Sequence, residues 1–221
     1  MLAHAVTQCN ADRINAALVL VGDPGGVVNF RDGTVIAVHS PGAPGVAMLN
    51  AGPPDRVGAA MADAAFAIAV GGISHYLVDD TADVLSPTSA GISPSRLLGQ
   101  VAVRLAVLAA SPCPVSPYRE RPVPTGRAEP AAELREIVTH ATGRRTARDI
   151  AFAIGRGVHS VTVDVARLLG EDVLAITPAD TFTGRVHHPA ATLRPRLSRP
   201  AGVEAAGPLP VRRPGRAGPG P

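Results

Sequence analysis

Residues 129–176 read EPAAELREIVTHATGRRTARDIAFAIGRGVHSVTVDVARLLGEDVLAI, and their spacing decides the fold of the C-terminal half. Ala131, Leu134, Ile137, Val138 and Ala141 recur at helical intervals. Pro130 suits the first turn of that helix, where a missing N–H costs nothing, and Gly143 reads as its C-terminal cap. Thr146 opens a second helix, because its hydroxyl can accept from the N–H of Asp149 as in a capping box. Ile150, Ala151 and Ile154 supply a buried stripe, and Gly155 stops the run. After Arg156 and Gly157 a third helix begins, with Val158, Val161, Val165, Leu168 and Leu169 inward and Gly170 at its end. Val173, Leu174, Ala175 and Ile176 read as a buried strand. A three-residue, glycine-bearing turn between two helices predicts a helix-turn-helix. With the strand behind it, residues 129–177 are expected to form a small winged-helix domain.

Such a module lays the N-terminal end of its third helix in the DNA major groove. His159, Ser160, Thr162, Asp164 and Arg167 are the polar residues expected on its outer face. Arg156, His159, Ser160 and Thr162 would reach base edges first, with Arg167 on the same reading face. Arg144, Arg145 and Arg148 would suit phosphate contacts, which position without specifying. Charge restrains this expectation. Residues 127–177 hold seven Arg against seven Asp and Glu, whereas DNA-binding domains carry a basic footprint. Asp164 on the reading face would repel phosphate. DNA is the leading expected partner, with a homodimer as the form that would present paired helices. The alternative is a non-DNA-binding adaptor whose domains contact proteins, since fold alone does not settle function.

The 221 residues carry a net charge of +3, and all 21 basic residues are arginine. The excess sits in residues 178–221, where seven Arg face only Asp180 and Glu204. A high pI therefore describes a tail and not a basic domain. Aromatics make up 3% of the chain and Trp is absent, which excludes a stacking platform for single strands. Cys9 and Cys113 are too few and too far apart for a disulfide framework or metal cluster, and fit a reducing cytosol. The N-terminus lacks the pattern of a signal peptide. The longest apolar stretch, 64–70, is too short to span a bilayer. A cytoplasmic protein with no membrane partner is expected.

Upstream, 2–16 can form an opening helix, and 17–39 read as a three-stranded antiparallel meander whose second turn is Asp32-Gly33. Residues 56–70 form an Ala-rich helix, 73–78 a further strand, and Ser93-Pro94 opens a helix with apolar Leu97, Leu98, Val101, Leu105 and Leu108. Residues 1–110 are thus expected as an α+β domain, 111–128 as a Pro-rich linker, 129–177 as the winged helix, and 178–221 as a disordered Pro/Arg/Gly-rich tail.

The segment 27–45, VVNFRDGTVIAVHSPGAPG, resembles the PATAN-type domains of bacterial signalling proteins: strand, Asp-Gly turn, strand, then a loop before a helix. Residues 143–158 look like the winged-helix half of small regulators in high-GC bacteria. The first resemblance implies a non-catalytic adaptor that receives a signal through protein contact, often near a small GTPase system. The second implies DNA binding.

No stretch carries an enzyme signature, and no cofactor or metal is expected. The glycines of 22–26 follow a strand but lack the Lys-Ser/Thr of a phosphate-binding loop, so a turn is the better reading. Asp79, Asp80 and Asp83 have no base or nucleophile nearby in sequence, and Ser86, Ser89 and Ser93 show no nucleophile elbow. His187-His188 lacks further ligands at metal spacing. His39-Ser40 at a strand end is the polar pair that could line a partner groove, local hydrogen bonding being the simpler role. The tail arginines could raise non-specific affinity for DNA by counterion release.

Overall fold

The computed structural model describes residues 1–49, 56–80 and 91–177. Three consecutive strands, β1 (Ala17–Asp23), β2 (Gly26–Arg31) and β3 (Thr34–His39), make the expected antiparallel meander. Asp32 (φ 48°) and Gly33 (φ 74°) both take left-handed backbone, which a two-residue hairpin turn needs to match the twist of its strands. Helix α1 (Leu2–Ala11) precedes the meander and buries Leu2, Ala5, Val6 and Cys9, one stripe of its surface. After β3, helix α2 (Arg56–Val70) returns the chain to the far edge of the sheet. There β4 (Gly72–Asp79) pairs antiparallel with β1, giving the order β3-β2-β1-β4.

Helix α2 is the centre of the molecule. Every residue from 60 to 68 is buried, Asp63 included. A helix buried all round needs a neighbour on each side. Those neighbours are β3 and β4 on one flank, and α3 (Pro94–Ala109) and α6 (Val158–Gly170) on the other. Ala60, Ala62, Ala64, Ala65 and Ala67 suit this place, because alanine favours helix and its small side chain lets packed elements come close. Ser93 caps α3 by accepting from the Arg96 N–H at 3.3 Å, with Pro94 in the first turn.

The C-terminal half contains α4 (Arg135–His140), entered through a 3-10 turn at Ala132–Leu134, then α5 (Ala147–Ile154), α6 and β6 (Leu174–Ile176). The capping box on α5 is present in full: Thr146 and Asp149 exchange side-chain-to-backbone bonds of 3.0 and 3.3 Å. Gly155 ends α5 at φ 65°, a conformation that other residues adopt at a cost. Gly143 is not the cap of α4; Ala141 is, and Gly143 lies two residues beyond.

Residues 111–128, expected as a spacer, contribute a strand, β5 (Pro122–Pro124), which pairs with β6. The Tyr118 hydroxyl donates to the Ala67 carbonyl of α2 at 2.9 Å. One apolar cluster runs through Leu18, Phe30 and Phe66 and on through Ile137, Ile150 and Leu168, and the described residues belong to one compact unit. The expected wing, 177–186, lies outside the described residues except for Thr177, and so does the expected tail, 178–221. No helix among the described residues is long and apolar enough to cross a membrane.

Candidate interaction site

Helix α6 begins at Gly157, which has no side chain to cap the first turn. Asp63 of α2 supplies the missing acceptor across the interior. Its carboxylate receives the Val158 N–H at 2.7 Å and the His159 N–H at 3.0 Å. A helix N-terminus carries partial positive charge, so a carboxylate is the fitting partner there. The His159 ring lies edge-on to Phe66 with centroids 4.9 Å apart, and its Nε2 is 3.2 Å from the Arg104 carbonyl of α3. The leading end of α6 is therefore seated against α2 and α3.

The electrostatics follow from that burial. Desolvation pushes the Asp63 carboxyl above its ordinary range, and the two amide bonds and the nearby Arg104 and His159 charges oppose the rise. Desolvation also pulls His159 down, aided by Arg104, while its bond to the Arg104 carbonyl and the Asp63 charge work the other way. Arg104 itself is lowered by burial. Asp63 touches the backbone of His159 and not its imidazole, so the pair lacks the carboxylate-to-ring bond that would orient a general base.

The eight residues expected on DNA do not share a free face. Thr162 is a correction: it is wholly buried, and its hydroxyl donates to the Val158 carbonyl at 2.6 Å. A hydroxyl satisfied by the carbonyl one turn back needs no solvent, which is why a polar residue can point inward here. His159 is a second correction, since its ring faces Phe66 and α3. Ser160 is half-buried and donates to the Gly157 carbonyl at 2.9 Å. Arg156 is held by Asp164 at 2.7 Å, and Arg167 by Glu171 at 2.7 Å. Arg148 donates to the Pro41 carbonyl at 2.8 Å, pairs with Asp149 at 3.1 Å and lies over the Phe152 ring. Arg145 contacts the His140 ring, and Arg144 is exposed.

Ser40 behaves as the local reading predicts: it donates to the Gly25 carbonyl at 2.8 Å and accepts from the Gly42 N–H. Among the described residues no group of three His, Cys, Asp or Glu side chains could hold a metal ion. Asp83, Ser86, Ser89 and His187-His188 lie outside the described residues.

The residue that sequence reasoning missed is Asp63. Its signal was present: it is the one charge in the apolar run 57–70, and a lone carboxylate in such a run needs a buried partner. Comparison with known proteins finds no family model, no curated protein and no solved structure that matches this chain.

Proposed function

We propose that this protein is a non-catalytic adaptor that acts through protein contacts, and that its helix-turn-helix is a structural element. The observation that carries this reading is the seat of α6. The end that would enter a major groove is capped by Asp63, its His159 ring packs edge-on against Phe66, and Thr162 is interior. A groove-reading role would need Val158 and His159 to leave those partners and would bring a carboxylate toward phosphate. The balance of seven Arg and seven acidic residues over 127–177 supports the same reading. So does the likeness of 27–45 to PATAN-type domains, whose members are adaptors. The order of α5, its glycine turn, α6 and β6 fits a winged-helix ancestry for residues 129–177, with any wing in 177–186.

Selection of the full chain against a random-sequence duplex library tests this. The expected result is no enriched sequence, with weak binding that falls as salt rises and disappears when the seven tail arginines are replaced by Gln. An enriched sequence whose binding is lost on Arg156→Ala or Ser160→Ala would overturn the adaptor reading and establish a DNA-reading regulator.

A further inference from the structure

The most exposed large apolar side chain among the described residues is Val103 of α3, at 63%. Successive helical residues are turned by about 100°, so Arg96, Gly99, Gln100, Val107 and Ala110 lie within about 60° of Val103 around the axis. Leu97, Val101 and Leu108, which α3 buries, are turned about 120–160° away from it. On the Val103 face Gln100 is half-buried and the other residues are exposed, Val107 at 44%. Residues 97–118 hold one charge, Arg104, and that residue is half-buried.

The shape of this face is set by Gly99 and Val107. A methyl group built on Gly99 would meet nothing within 4 Å, so the surface has a hollow there. Val107 stands out from the same face one turn beyond Val103. Hollow and knob lie four residues to either side of Val103. The ends are set by charge. Arg96 stands in the first turn of α3, where the positive end of the helix dipole repels a cation. The first turn has no acidic side chain and the last turn no basic one, so neither end is compensated. Arg96 and Ala110 lie seven residues to either side of Val103.

We propose that the occupant of this face is α3 of a second copy, antiparallel, about a two-fold axis at Val103. Val107 of the second copy then enters the hole framed by Arg96, Gly99, Gln100 and Val103, whose spacing of i, i+3, i+4 and i+7 is that of a knob-into-hole contact. Symmetry repeats the contact on the other side of the axis, where Val103 meets its own mate. Arg96 of each copy comes beside Ala110 and the last-turn carbonyls of the other, and supplies the cation that end lacks. A parallel pair would set Arg96 against Arg96 and leave the Gly99 hollows facing each other. Knob and hollow, and cation and carbonyl end, are equally spaced about one residue, so the face is its own complement. This inference goes beyond the adaptor reading and stands on different residues. A dimer that enriches a DNA sequence would sink the former reading and leave this one intact.

Sedimentation equilibrium of the full chain, at concentrations up to about 200 μM, is the test. The expected mass is about twice 22.5 kDa. Val103→Glu sets two like charges on the axis and is expected to return the chain to 22.5 kDa with its far-UV circular dichroism unchanged, because Val103 is an exposed helix position. Gly99→Leu fills the hollow and is expected to raise the dimer Kd about tenfold or more. The fold should tolerate it, since the space is open and leucine is the better helix former. Arg96→Glu is expected to raise the Kd about tenfold through the two helix ends. A wild-type chain that stays monomeric overturns the proposal and leaves the face for a different protein. A dimer that Gly99→Leu tightens is a non-specific apolar contact and overturns it too, as does one indifferent to Val103→Glu or to Arg96→Glu.

Discussion

Replacing Asp63 tests the junction between α2 and α6 more sharply than any other single change. Asp63→Ala removes an acceptor that serves two backbone donors, the Val158 and His159 N–H groups at 2.7 and 3.0 Å, in a place where Asp63 is only 4% exposed. Loss of a helix N-cap costs about 1 kcal/mol. A donor left buried without a partner costs about 1–3 kcal/mol. Against this stands relief of the penalty for desolvating a carboxylate, which burial imposes and Arg104 only partly offsets. The net expectation is a loss of about 2–4 kcal/mol, a large share of the roughly 5–15 kcal/mol that holds a domain folded. For a chain of this size each kcal/mol moves Tm by roughly 2–4 °C.

Asp63→Asn separates cap from charge. Its amide oxygen can still accept from the first turn of α6, so at least half of the loss should be recovered. The pH dependence has a definite sign. The folded-state pKa of Asp63 is raised, so the folded protein holds this proton more tightly than the unfolded chain does. The stability it contributes is full below the ordinary carboxylate value and declines as pH rises through the raised value. Asp63→Asn lacks this decline, so its stability relative to wild type should improve as pH rises above the ordinary carboxylate value. The groups facing Asp63 that could distort the profile are Arg104 and His159, and Tyr118, whose own shift records the Asp63 charge. Urea unfolding at several pH values, with amide exchange at Val158 and His159, is the assay. An Asp63→Ala chain within about 0.5 kcal/mol of wild type, with both amides still protected, would refute the reasoning.

Two further outcomes follow from local geometry. Thr146→Ala removes the capping box of α5 and should cost about 1 kcal/mol by urea unfolding, with Thr146→Ser nearly neutral; equal loss in both would show that the hydroxyl is not the operative group. Cys113 is exposed and Cys9 is buried with its thiol pushed up by desolvation, so a thiol reagent should modify one cysteine quickly and the second only in denaturant. Two fast thiols would place α1 incorrectly.

The local rules of the chain were legible residue by residue. Asp32-Gly33 specified its hairpin, Ser93-Pro94 opened α3, and Thr146 with Asp149 opened α5, because each signal is complete within four residues. What could not be read was decided between distant segments. The Ala-rich α2 has apolar residues on all sides, so its sequence does not say which face meets the sheet and which meets α6. β5 is three residues with two prolines, a pattern that reads as linker until β6 is there to pair with it. The outer face of α6 differs from the expected one because Thr162 and His159 are polar but small enough in hydrogen-bonding demand to be satisfied inside, one by its own helix and the other by α3. Residue type alone predicts exposure for both, and the partners that hold His159 inward, Asp63 and Arg104, lie 96 and 55 positions away.

The central claim is that the leading end of α6 belongs to the interior and does not meet DNA. Amide spectra of the full chain, recorded as a mixed-sequence duplex is added, test it most directly. The account predicts that the Val158, His159, Ser160 and Thr162 amides stay in place while the resonances that move belong to the arginine-rich residues 178–221. Movement or broadening of the four α6 amides, saturating with added duplex, would contradict it.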